Sequence, residues 1–156
     1  MKTFGLRVVL GLIGLAAALT PAGAQQTDNS GVRFAAIDVF IDSSEPLAAW
    51  QFELRETRGL MTVVGVENGE SPAFANAPYY DLEAVDRGDA DKIIVADFNA
   101  RSDASLPVGD TRIATIHVRL RGSLEPDYEL RLIAAGDSMG RPVDAAIRLG
   151  GQDLRR

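Results

Sequence analysis

Between Leu47 and Glu67 the chain reads LAAWQFELRETRGLMTVVGVE, and this stretch constrains the fold more than any other. Trp50, Phe52 and Leu54 recur at every second position, with Gln51, Glu53 and Arg55 between them. An extended chain sends those two sets to opposite faces, whereas a helix would spread both around its circumference. A polar connection, Glu56-Thr57-Arg58-Gly59, leads into Leu60 to Val66, dense in valine. There Thr62, Val64 and Val66 are expected on one face and Met61 and Val63 on the other. β-Branched density of this kind favours a strand buried on one or both sides. The segment therefore predicts two pleated strands, with Trp50 in the core alongside Phe52 and Leu54 and not exposed as a sugar platform.

The first 24 residues read as a processing signal. Lys2 and Arg7 are followed by an uncharged apolar run from Val8 to Leu19, and Ala22-Gly23-Ala24 has the small-x-small pattern of a signal-peptidase site. The apolar run is far shorter than the ~20 residues of a bilayer-spanning helix, so export with cleavage after Ala24 is expected, and no stable membrane anchor thereafter. With no cysteine in the chain, disulfides, thiol chemistry and lipid attachment through cysteine are excluded. The formal charge is −6, and loss of Lys2 and Arg7 makes it more negative by two, which argues against nucleic acid as a partner. A secreted or periplasmic protein is expected, with one core in the ~130 residues that remain.

Residues 25–31 are polar and read as a flexible N-terminus. Val32 to Ile41 is a strand pattern with Ile37, Val39 and Ile41 on one side and Phe34 and Phe40 on the other, so both faces are expected to be covered. Asp42-Ser43-Ser44-Glu45-Pro46 is turn chemistry. Regularity dissolves from Glu67 to Asp91, where a functional loop or a short helix near Asp81 to Val85 is expected. Lys92 to Phe98 resumes strand character. Arg112 to Leu120 alternates Ala114, Ile116, Val118 and Leu120 against Ile113, Thr115, His117 and Arg119. Tyr128 to Ala134 alternates again, Gly136 to Arg141 is a turn cluster, and Val143 to Leu149 is the last period-two run. Seven strands without a long helix predict an all-β, antiparallel, two-sheet β-sandwich. Short strands in the long loops would bring the count to about eight or nine, as in a jelly roll.

The order of these elements resembles the cohesin-like domains of the carbohydrate-binding-module superfamily. The resemblance runs through VRFAAIDVFID, AAWQFELRE, LMTVVGVENG, DKIIVADFN, TRIATIHVRL and AGDSMGRPV, and covers about Val32 to Leu149. It implies a jelly-roll domain over residues 32–150 with a short tail at 151–156, acting as a non-catalytic exported module. A protein partner, possibly dockerin-like, or alternatively a polysaccharide is what it implies as ligand.

Candidate site residues fall into three groups. Tyr79 and Tyr80 follow Pro78 in the long loop, where rings can form a platform for sugar or can pin the loop to the sandwich. Ile113, Thr115, His117 and Arg119 form a mixed strand face suited to a protein partner, and Gln51, Glu53 and Arg55 are candidates for its continuation. Asp97, Asn99 and Asp103 supply the oxygen donors that Ca²⁺ prefers, in a region where turn-forming and solvation also call for such residues. His117, the only histidine, reads as a rim side chain. With no nucleophile motif and no clustered metal signature, no catalytic residue is assigned and an enzyme is not expected.

Overall fold

A computed structural model describes residues 31–99 and 105–150. The predicted signal peptide, Asp103 and the 151–156 tail lie outside them. Seven strands are present among the described residues: β1 (Val32–Ser43), β2 (Ala49–Glu56), β3 (Met61–Asn68), β4 (Lys92–Phe98), β5 (Gly109–Arg121), β6 (Tyr128–Gly136) and β7 (Ala145–Leu149). All pairing is antiparallel, in one sheet of order β3-β5-β1-β7 and a second of order β4-β2-β6. An all-β architecture of two antiparallel sheets is thus established. The connection between β3 and β4 holds a 3-10 turn (Pro72–Phe74) and one short helix, α1 (Leu82–Arg87). Asp81 caps that helix by accepting from Ala84 N–H at 3.0 Å, and Gly88 closes it with φ +71°.

Alternation places the core where the sequence expects it. Ile37, Val39 and Ile41 from β1, Trp50, Phe52 and Leu54 from β2, and Ile93 and Val95 from β4 are all buried, together with Ile116, Val118 and Leu120 from β5. The ring of Trp50 stacks on Phe52 at 5.7 Å and meets Phe74 edge-on at 5.9 Å. Leu130, Leu132, Ile147 and Leu149 close the periphery.

Three bulges override the simple alternation. On β3, Val63 pairs with Val118 and Gly65 with His117, so Val64 is the extra residue. A bulge inserts one residue and reverses the parity beyond it. Val66 consequently joins Met61 and Val63 in the core, while Val64 turns outward, opposite to the grouping of Thr62, Val64 and Val66. On β5, Val39 pairs with Ala114 and Phe40 with Arg112, leaving Ile113 as the extra residue, 1% exposed in the core. On β6, Ile133 is the extra residue between the partners of Gln51 and Phe52. β1 also departs from expectation: Phe34 is 73% exposed, so the outer side of this strand is not covered there.

The long connection is held by close backbone packing. A Cβ at Gly69 would lie 2.2 Å from the Arg112 carbonyl oxygen, so only glycine fits where this segment leaves β3. Further along, Tyr79 exchanges two backbone hydrogen bonds with Ala96, of 2.8 and 3.0 Å, as a one-residue extension of the β4 edge.

Candidate functional site

The two sheets present two outer faces of different chemistry. On the β3-β5-β1-β7 sheet, registered side chains share a face across each strand pair. One row runs Thr62–Arg119–Phe34, the next Gly65–His117–Ala36, the next Glu67–Thr115–Asp38. Ala36 and Gly65 are small, so the middle row is a low floor beside the His117 ring. Exposed Phe34 and the bulged, exposed Val64 stand around it, forming an open depression of about 420 Å³. His117 Nε2 lies 3.1 Å from Glu67 Oε1, within ion-pair distance but not aligned as a hydrogen bond.

Of the strand-face residues read from the sequence, His117 borders this depression and Arg119 flanks it beside Phe34. Thr115 is buried and committed, accepting from Arg112 Nη1 and donating to Asp38 Oδ1, both at 2.7 Å. Ile113 does not belong to the face, because the β5 bulge turns it into the core. Nor do Gln51, Glu53 and Arg55 continue it, since β2 lies in the other sheet. Phe34 and Val64 were not singled out in the sequence. Phe34 reads as core by apolarity, and no local signal marks Val64 as a bulge except the glycine that follows it.

The outer face of β4-β2-β6 carries Tyr79 and Phe98, 63% and 59% exposed, with rings stacked at 5.7 Å and 11°. The two tyrosines separate here: Tyr80 is half-buried and packs against the core. Down the face the rows are Phe98–Ala49–Gly136, Ala96–Gln51–Ala134 and Ile94–Glu53–Arg131. Glu53 pairs with Arg131 at 3.7 Å and Arg55 with Glu129 at 2.5 Å.

Asp97 points inward opposite Trp50 and is buried. Burial pushes its carboxyl above the ordinary aspartate value, and the Phe98 N–H, donating at 2.7 Å, offsets this only in part. Asn99 donates to the Ala73 carbonyl at 2.6 Å. Among the described residues no three His, Cys, Asp or Glu side chains converge on a metal position. Asp97 is instead a buried charge at a cost. Its folded value lies above its unfolded one, so the penalty is absent below the ordinary value of 3.8 and grows as pH rises through the raised value. Asp97→Asn, which keeps an acceptor for the Phe98 N–H, is expected to raise stability at pH 7. The gain should vanish below pH 3.8 in urea titrations of both proteins; a loss of stability at pH 7 would show that the charge has a favourable partner.

Comparisons with family models, with curated proteins and with solved structures find no significant match to this chain.

Proposed function

We propose that this chain is an exported, non-catalytic binding module, a jelly-roll sandwich of the cohesin-like kind, that holds a protein partner on the outer face of the β3-β5-β1-β7 sheet. The observation that carries this reading is the exposure of Phe34 and Val64 on either side of the low floor at Ala36 and Gly65. An apolar side chain of a partner, such as the dockerin-type module that the resemblance implies, would fill the depression and cover both. Burying a phenylalanine contributes on the order of 2 kcal/mol, enough to make Phe34 an anchor. His117 with Glu67, and Arg119, stand at the rim, where polar groups select the partner and set its orientation.

The test is a comparison of wild type with Phe34→Ser as baits on material secreted by the native source. A partner captured saturably by the wild type should bind the variant at least tenfold more weakly, equivalent to about 1.4 kcal/mol. Since Phe34 is 73% exposed, the substitution should leave the thermal midpoint unchanged. Equal capture by both proteins would remove this face from the function.

A further inference from the structure

We infer that β1 pairs edge to edge with β1 of a second copy of this chain, joining two β3-β5-β1-β7 sheets into one across a two-fold axis. β1 is an inner strand for only part of its length. β5 pairs with it from Val32 to Ser43, whereas β7 reaches only Val39 to Ser43, and the Gly150 N–H adds a last bond to the Asp38 carbonyl at 2.7 Å. In a strand the N–H and C=O of one residue point to the same side, and the side alternates along the chain. Asp38 turns its carbonyl to the β7 side, while Gly31 turns its own to Gly122, at the end of β5. The open side therefore receives the backbone groups of Val32, Phe34 and Ala36, which have no partner among the described residues.

Open edges are ordinarily blunted by lysine, proline, a bulge or a covering element. None of these protects this one. The irregularity between β1 and β5 lies at Val39–Phe40, past the open stretch, and Val32, Phe34 and Ala36 are apolar and exposed. Arg33, the one charge between Val32 and Ile37, has the opposite parity and is tied to the Leu124 carbonyl at 2.8 Å.

The end of β7 selects the register. An antiparallel neighbour must set its own open groups against these. Pairing Phe34 with Phe34 of the second copy, Val32 with its Ala36 and Ala36 with its Val32 matches every open group and stops short of Gly150. A shift of two residues one way lays the second copy's Val32 where Gly150 sits opposite Asp38; a shift the other way loses a pair. The pattern reads the same from either copy, as an isologous interface requires. Its outer row is an aromatic cross-strand pair between two Val–Ala pairs, and Arg33 falls opposite Ala35, so no like charges meet directly. The chain's own residues 151–156 are a poorer occupant, because continuing the β7 register would set Arg155 opposite Arg33. Edge pairing leaves the outer side of Phe34 open, so this inference stands apart from the protein-binding reading.

The test is sedimentation velocity and light scattering of the purified chain up to about 300 μM, since so small an interface belongs to the transient class, with a Kd on the order of 10 μM. A dimer is expected. Val32→Pro and Ala36→Pro each remove one open N–H and none of the β1–β5 ladder, and each should weaken the dimer at least tenfold. Val32 is the first residue of β1, where proline is tolerated, so Val32→Pro carries the test if Ala36→Pro fails to fold. Phe34→Cys, in a chain without cysteine, should form an intermolecular disulfide on mild oxidation, because the two positions lie about 5.5 Å apart. Ala36→Cys, equally exposed but about 13 Å from its counterpart, should not. Val32 lies outside the depression, so Val32→Pro should still capture a secreted partner, which separates the failure of one reading from that of the other. A chain monomeric at the highest concentration, a dimer indifferent to both prolines, or oxidation no faster at residue 34 than at 36 would each overturn the inference. So would dimerisation that appears only on deleting residues 151–156, which would give the edge to the chain's own tail.

Discussion

Glu56→Ala is expected to cost about 3 kcal/mol of folding stability, although Glu56 sits at the end of a strand beside a surface turn. Its side chain is 4% exposed. Oε2 accepts from Leu60 N–H at 2.7 Å, and Oε1 accepts from Arg58 N–H and from Asp127 N–H, each at 3.1 Å. One carboxylate thus closes the β2–β3 turn and fastens to it the segment that enters β6. Hydrogen bonds to a charged group contribute about 1.5–3 kcal/mol each, and part of that is recovered when the freed donors reach water. Glu56→Gln keeps one acceptor oxygen but sets an NH₂ against a donor, so it should lose roughly half as much. Burial alone would raise the pKa of Glu56, but the backbone donors, Leu60 and Asp127 foremost, outweigh it and hold the carboxyl below 4.5. A folded value below the unfolded one gives stability that is complete above pH 4.5 and lost as pH falls through the lowered value. Denaturant titrations at pH 7 should show the loss directly. Thermal midpoints between pH 3 and pH 7 should fall with acid in the wild type and less steeply in Glu56→Gln. A loss under 1 kcal/mol for Glu56→Ala would mean that the turn is held by other contacts.

Strand identity was legible because hydrophobic alternation is local. Each of the seven runs, from Val32 to Leu149, became a strand, and the short helix expected near Asp81 to Val85 is α1, for which Asp81 proves to be the cap. Asp137 likewise organises its turn as expected, accepting from Met139 and Arg141 N–H at 2.9 Å each. What could not be read was the position of the bulges. A bulge depends on how two distant strands slide into register, and the residues that take it, Val64, Ile113 and Ile133, are β-branched residues of the kind that suits any regular strand position. One inserted residue was enough to move Ile113 from a proposed binding face to the core and Val66 from one side to the other.

The candidate sites were legible only in fragments for a related reason. Pro78 and the loop marked Tyr79 as exposed, but its partner Phe98 lies on a strand 19 residues away, and only the bridge to Ala96 brings the two rings together. Phe34 carries the proposed protein-binding reading, yet its apolarity at a strand position is the signature of a core residue. Its exposure follows from where pairing stops: β7 reaches β1 only at Val39–Ser43, and among the described residues no element covers the outer side at the Phe34 row. The candidate faces of this fold are those where large apolar side chains stand on the wet side of a sheet.

Trp50 obeys the alternation, and its two substitutions should differ sharply. Trp50→Ala removes a ring that is 2% exposed and in contact with Phe52 and Phe74, and is expected to cost about 4 kcal/mol, transfer and cavity together. That is a large share of the 5–15 kcal/mol that holds a domain of this size, so partial unfolding at 37 °C is expected as well. Trp50→Phe keeps an aromatic ring in the stack and deletes the indole Nε1–H, a buried donor with no partner among the described residues. Losing an unpaired donor relieves a desolvation penalty of about 1–3 kcal/mol, which offsets the smaller ring's poorer packing, and a net cost under 1 kcal/mol is expected. Denaturant titrations of the two variants settle the matter. A cost above 2 kcal/mol for Trp50→Phe would show that the indole N–H is satisfied in solution. The group to examine would then be Asp97, directly opposite in register, and Trp50→Phe should lose its cost in an Asp97→Ala background, which removes the acceptor.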